Sequence, residues 1–340
     1  MCTEELVQPL LPDPRGPLSS VVTGLLGERL PTQYLARIQL PLLANTDPFG
    51  LDLQLALYVC YELHYRGFTG TDEKWEWNPA LLDVRHRLEE RFLAAVRELV
   101  GDISPDSTAH AELNRCDTEP VDDSSLSVYL QDQATWPQMQ EYFVHRSLYH
   151  LKEADPQSWI IPRLTGRAKA ALVAVEYDEY GGRGGYATMH QRLFADLLDA
   201  ADLRSDYLHY LGNATGSTLA AVNLMSMFGL HRHLRGAAVG HFAATELTSS
   251  PASQRIVKGL RRLGAPRPCV DFYREHVEAD AVHEQVVRKD VVADLLSREP
   301  GLELDIVFGI RAFDAIEGRL ADHMLSSWAA GCPSLHHWPV

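Results

Sequence analysis

A nearly all-helical fold is predicted by two features of this sequence. Apolar residues recur at helical spacing over long windows punctuated by Pro, Gly or Asp/Ser, and runs in which β-branched and polar residues alternate are scarce. The 340 residues, 46% of them hydrophobic, make a globular chain able to bury a large core as one large domain or two of ordinary size.

Residues 1–30 read as an irregular leader. Helical patterns follow at roughly 49–66, 78–100 and 130–152. The Asp-, Ser- and Pro-rich stretch GDISPDSTAHAELNRCDTEPVDDSS, from Gly101 to Ser125, is the best boundary between an N-terminal helical extension (1–125) and a larger C-terminal core (126–330), with a short tail at 331–340. Within the core, helices are expected at about 158–180, 187–201, 204–213, 216–231, 234–248, 251–264, 268–285, 287–298 and 302–327.

Composition narrows the function. A net charge of -15, from 46 acids against 31 bases, opposes binding to nucleic acid or to anionic lipid. Five scattered cysteines without a CxxC pair fit neither a disulfide framework nor a thiolate zinc site, and point to a reducing cytoplasm. The N-terminus, with early acids and prolines, has no apolar run of the kind a secretion signal needs. The most apolar stretch, Ser217 to Leu230, is too short to span a bilayer, so no membrane segment is expected.

The chemistry is concentrated in Tyr273-Arg-Glu-His-Val-Glu-Ala-Asp-Ala-Val-His283. On a helix His276, Asp280 and His283 stand at i, i+4 and i+7 and fan over roughly 40–60°, while Glu278 points away. Two imidazoles and a carboxylate on one face suit a first-row transition metal such as iron, manganese or zinc; a solvated helix face is the competing reading. Upstream, ALVAVEYDEYGGRGGYATMHQRLFADLL carries Glu176, Glu179 and His190. A continuous helix would separate Glu179 from His190 by about 16 Å. Gly181, Gly182, Gly184 and Gly185 permit a loop that closes the gap, although an ordinary interhelical loop with a surface Glu and a packed His fits the same pattern. Glu246 sits in an otherwise small and apolar stretch, where a carboxylate is costly to bury without a partner. Glu153, in YHLKEADPQSW, stands at a helix end that is often solvated. Glu141, His145 and His150 are read as packed or supporting residues, His231 and His233 as a solvated helix end, and His336-His337 as a flexible tail.

Together these elements resemble the heme-oxygenase-like diiron oxidases and oxygenases, the iron-containing redox enzymes, over roughly residues 130–300. The H-x3-D-x2-H helix, Glu246 on the preceding helix and the DEYGGRG…H segment carry the likeness. Glu153 looks like the extra carboxylate of the N-oxygenase branch, typified by the enzyme that makes the nitrosourea of streptozotocin; the HRS…HLKEADPQSWIIPRL and YELHYRGF segments are similar to that branch as well. The resemblance implies a seven-helix bundle in which Glu153, Glu179, His190, Glu246, His276, Asp280 and His283 hold two Fe(II) ions, with manganese or a mixed Fe/Mn pair also compatible. It implies O2 as co-substrate, reduced between the metals as a peroxo species, an external electron donor, and a small-molecule substrate. An amine, guanidine or amino acid undergoing N-oxygenation is the leading expectation; desaturation or C–C cleavage of an amino or fatty acid is the alternative, and a non-catalytic small-molecule-binding bundle the second. Glu176 is the nearest spare carboxylate, and Tyr177, Tyr180 and Arg183 lie close in sequence without an assignable part. Similar N-terminal helices in that branch imply a homodimer.

Overall fold

The computed structural model describes residues 8–28, 43, 45–118 and 125–337, apart from the side chains at 117, 118 and 279–282. It is all-α, with no strand among the described residues. The helices are α1 (Pro17–Leu26), α2 (Leu51–Glu62), α3 (Pro79–Val100), α4 (Ala109–Thr118), α5 (Leu126–Asp132), α6 (Trp136–His150), α7 (Gly166–Glu179), α8 (His190–Ala200), α9 (Gly216–Leu230), α10 (Arg235–Arg262), α11 (Arg267–Val286) and α12 (Glu303–Ala329).

The long helix α10 is the axis of the bundle and packs along α11 on one side and α12 on the other. Its small residues allow that approach. A Cβ on Gly240 would lie 2.1 Å from the Ile306 carbonyl oxygen, and one on Gly309 would lie 2.0 Å from that of Ala237, so the α10–α12 crossing is backbone against backbone. Helix α9 is apolar all round and buried between α2, α12 and α10, as such a helix must be. One continuous apolar core runs from Leu18 to Trp328.

Several elements depart from local pattern because a distant residue completes them. The supposed leader contains α1: Pro17 opens it, and the Asp52 carboxylate of α2 accepts from the backbone N–H groups of Leu18 (3.0 Å) and Ser19 (2.8 Å). The loop at 101–125 contains α4, whose first N–H groups are taken by Glu303 Oε1 and Thr108 Oγ1, at 2.5 and 3.2 Å from Ala109 and Ala111. Residues 119–124, at the expected boundary, lie outside the described residues, as do residues 1–7 and 29–42. The expected helix at 130–152 is two, α5 and α6, broken before Thr135-Trp136-Pro137. The one expected at 158–180 starts only at Gly166, after Pro156 and Pro162. At 204–213 there is a short 3₁₀ turn, His209–Asn213. Conversely, α10 runs through Pro251 without a break, and α11 continues through a π-helical stretch, Val287–Ala293, into Asp294–Arg298.

The C-terminal segment is held against the core rather than free. Ser334 N–H and Trp328 Nε1–H donate to Glu141 Oε2 at 2.6 and 2.9 Å, and Ser334 O accepts from His323 Nε2 at 2.7 Å. Asn213 O accepts from His336 N–H, and Asn213 Nδ2 donates to His337 O. His145 is sandwiched between Thr218 Oγ1 (2.6 Å) and Ser334 Oγ (3.0 Å). Burial, with the nearby charges of His323 and Arg146, pushes its imidazole down to about 3. It is therefore neutral in the fold and protonates in the unfolded chain below about pH 6.5. Its contribution is complete above that pH and is lost as pH falls from 6.5 toward 3. In urea unfolding between pH 6 and 4.5, His145→Asn is expected to flatten the fall of stability with acid by up to about 1.4 kcal/mol per pH unit. An unchanged slope would show that His145 is not buried as the neutral form.

Candidate metal centre

Five helices and one turn converge on the site. Helix α6 ends at His150, and the chain turns through 151–154 with Ala154 in the left-handed region (φ 72°). The turn sends Lys152 and Glu153 in different directions. Lys152 Nζ meets Glu62 Oε2 of α2 at 3.0 Å, between the rings of Tyr58 and Tyr65 at 4.6 and 4.3 Å, and both charges are almost wholly buried. Tyr207 Oη–H donates to the other Glu62 oxygen at 2.8 Å. Arg66 donates to Leu151 O and to Gln191 Oε1, each at 3.2 Å, and Gln191 Nε2 donates to Glu153 O at 2.9 Å. The N-terminal layer thus grips the backbone on both sides of Glu153, whose carboxylate is left facing the core.

The glycine loop closes the gap between α7 and α8. Gly181 has φ 97°, and a Cβ there would stand 2.0 Å from Gly185 O; Thr188 Oγ1–H donates to Gly181 O at 2.7 Å. A 3₁₀ stretch, Gly182–Thr188, folds back so that His190 Nδ1 lies 2.6 Å from Glu179 Oε2. Helix α11 supplies His276 and His283 two turns apart. Asp280 lies between them on that helix, but its side chain is outside the described residues.

Three overlapping donor groups result: His150, Glu153 and His276; Glu153, Glu179 and His190; and Glu179, Glu246 and His283. In each, the nitrogen and oxygen atoms lie within 4.8 Å of one another. Glu153 Oε1 is 3.0 Å from His150 Nδ1 and 3.4 Å from His276 Nε2. His283 Nδ1 is 3.2 Å from Glu246 Oε2 and 3.6 Å from Glu179 Oε1. Supporting contacts orient the rings. The Phe272 carbonyl accepts from His276 Nδ1–H at 2.9 Å and so presents Nε2, while Asp178 Oδ2, 3.4 Å from His283 Nε2, leaves Nδ1 facing the carboxylates.

The electrostatics are those of crowded buried carboxylates. Burial and the charges of Glu179 and Glu246 push the Glu176 carboxyl far above the usual range. Burial, with repulsion from Glu179, raises Glu246 although His283 opposes it. Glu153 goes the other way: burial alone would raise it, but His150 and His276 hold it well below the ordinary value. Burial would lower His190, and Glu179 outweighs that and raises it.

These residues fit a bound metal ion. Glu153 Oε2, both Glu176 oxygens, His150 Nδ1 and His190 Nδ1 are buried without a hydrogen-bond partner, so His190 and Glu179 are close without being aligned for a bond. Donor atoms converging on common points, rather than paired head-on, are what ligands of shared cations require. A void of about 20 Å³ among Tyr149, Glu153, Glu176, Glu179, Glu246 and His276 has room for one small species. A larger cavity of about 270 Å³ adjoins the His150–Glu153–His276 side. A wider surface cleft of about 860 Å³, lined by Arg66 and Tyr207, carries none of these donors.

Residues 140–318, just over half the chain, match the sequence profile of the iron-containing redox enzymes. The chain belongs to that family. Comparison with curated proteins finds no match. Every donor of this iron-containing redox enzyme falls inside the matched span. Of the seven residues singled out in sequence, the structure brings Glu153, Glu179, His190, Glu246, His276 and His283 together. It adds His150, which sequence reasoning left among the packed residues. The signal was the spacing: His150 and Glu153 are three apart, and the turn at Ala154 keeps both on the inner side. Asp178, behind His283, left no sequence signal.

Because Lys152 and Glu62 are buried as a pair, removing one partner leaves the other uncompensated. Lys152→Met is expected to cost about 3–5 kcal/mol in chemical denaturation, and Lys152→Met/Glu62→Leu to recover most of that loss. A Lys152→Met cost under about 1 kcal/mol, in the range of exposed pairs, would show that the two are not buried against each other.

Proposed function

We propose that the cluster holds two iron ions and that the protein is a non-heme diiron oxygenase acting on an amine- or guanidine-bearing small molecule, with N-oxygenation as its reaction. The observation that carries this reading is the overlap of the donor groups. Glu153 and Glu179 each belong to two of the three groups, the position of carboxylates that bridge neighbouring cations. Glu153, Glu179, Glu246 and Asp280 bring four negative charges, which two ferrous ions balance in a low-dielectric core. When bound, such a pair activates O2 by supplying electrons. The cavity of about 270 Å³ is too small for a porphyrin, which argues against a heme reading.

The chain's own residues have definite tasks in this scheme. His150, His190, His276 and His283 would bind metal as neutral imidazoles, so loading competes with protonation of His190, which the Glu179 charge favours against burial in the metal-free protein. Iron affinity accordingly falls with acid. Glu176, held as the neutral acid by burial and by its carboxylate neighbours, keeps a proton at the edge of the small void, in position to deliver it to reduced oxygen. The aromatic and aliphatic walls formed by Phe242, Phe272 and Phe194 keep bulk water away. One hydroxylation balances as R–NH2 + O2 + 2 electrons + 2 H⁺ giving R–NHOH + H2O, so an external electron donor closes the cycle. The presence of Glu153 in the cluster and of the Glu317 carboxylate on the cavity wall supports an amine over a fatty acid.

Anaerobic titration with Fe(II) tests the reading. The parent is expected to bind close to two irons per chain and to give an O2-dependent visible transient. His276→Ala abolishes the transient. Glu153→Ala and His150→Ala each weaken one iron by about 10–100-fold or more while leaving the other. One iron per chain in the parent, or His150→Ala indistinguishable from it, would refute the shared-carboxylate arrangement.

A further inference from the structure

The cavity of about 270 Å³ has a charged wall that the metal cluster does not use. Arg146 of α6 and Glu317 of α12 both line it and form a two-pronged pair, Nη1 to Oε1 at 3.1 Å and Nη2 to Oε2 at 2.7 Å. Arg146 precedes His150 by one helical turn, about 6 Å along the axis. The pair and the donors therefore share one stripe of α6. Neither partner is spent. A guanidinium has five N–H donors, and Arg146 Nε is buried without a partner; each Glu317 oxygen accepts one of the two bonds and has a lone pair left. A third polar group on the same wall, the Tyr273 hydroxyl, is also buried without a partner. The apolar part of the lining includes Met225, Ile256, Phe272 and Phe313.

A cavity of this size falls below the roughly 300–1,000 Å³ typical of drug-sized ligands, so its occupant is small. Adjacent fixed charges of opposite sign match a ligand that carries both. We propose that Arg146, Glu317 and Tyr273 form a head-group subsite for a small α-amino acid: its carboxylate on the spare N–H groups of Arg146, its ammonium on Glu317, and its side chain directed along the apolar wall toward His150, Glu153 and His276. Only the direction of the side chain rests on the diiron reading; the binding does not. A plain amine leaves Arg146 unused, and a long-chain fatty acid exceeds the space.

The test uses the metal-free full-length protein and isothermal titration with a panel of L-amino acids, each paired with its decarboxylated amine, plus octanoate. At least one amino acid is expected to bind, with its amine at least about tenfold weaker, since a site built for a polar group discriminates against the analogue lacking it. Arg146→Met/Glu317→Leu, which replaces a buried pair by apolar side chains and so keeps the fold, is expected to lose about tenfold or more for the amino acid and to treat acid and amine alike. Tyr273→Phe removes an oxygen that bonds nothing in the protein, so it is expected to leave the unfolding temperature unchanged and to weaken the amino acid several-fold. Amines binding as well as amino acids, a preference for octanoate, an unchanged double variant, or no amino acid binding below about 10 mM (roughly 2.7 kcal/mol) overturns the proposal. Because iron is absent throughout, a negative result here leaves the diiron reading standing, and failure of iron loading leaves this result intact.

Discussion

Four carboxylates buried in one helical core, Glu153, Glu176, Glu179 and Glu246, set the terms on which the rest of this structure is built. A buried ionised carboxylate costs several kcal/mol unless something compensates it. The chain supplies part of the compensation itself: four imidazoles face the acids, and burial with the Glu179 and Glu246 charges pushes the Glu176 carboxyl up, toward its neutral form. A metal ion held by the same donors would neutralise what the imidazoles leave unbalanced, and its binding energy would add to the stability of the core. Membership in the iron-containing redox enzymes and the physical state of these side chains point the same way.

Keeping such a cluster in register demands rigid support from outside it. The buried Lys152–Glu62 pair, boxed by Tyr58 and Tyr65, ties the residue next to Glu153 to the N-terminal layer. The extension of α11 performs a similar service on the other side. Its π-helical stretch, Val287–Ala293, begins four residues after His283, and a wider turn there shifts the facing of every residue beyond it. That shift aims Asp294 at the first turn of α7, where its carboxylate accepts from Ala168 N–H at 2.9 Å. Helix α7 is the one that carries Glu176 and Glu179. The N-terminal part of the chain therefore supports Glu153, and the far end of α11 supports Glu176 and Glu179.

The helical class and the long helices α9 to α12 were legible in the sequence because their patterns are local and periodic. What could not be read was set by contacts at long range. Helix α1 exists because Asp52 caps it, and α4 because Glu303 does; neither partner is near in sequence. The two breaks expected within α10 and α11 failed for the opposite reason, since tertiary packing on both flanks carries the helices across Pro251 and past Val286. In the site, the i, i+7 spacing of His276 and His283 and the glycine loop before His190 were readable, because each reduces to helix geometry or backbone freedom. Glu153 was harder to place, since its inward facing depends on the turn at Ala154, and His150 beside it was passed over although its spacing puts it on the inner stripe of α6. The supporting Asp178 and the Arg146–Glu317 pair likewise become visible only when α6, α7, α11 and α12 are side by side.

Helix α6 links the two halves of the site. Tyr142, Arg146 and His150 recur at intervals of four, and Glu153 follows in the turn, so one continuous stripe passes from the cavity wall to the metal donors. A group that engages the spare N–H groups of Arg146 joins the Arg146–Glu317 pair one turn away from His150. The helix alone therefore sets the distance between whatever the cavity holds and the His150, Glu153 and His276 donors.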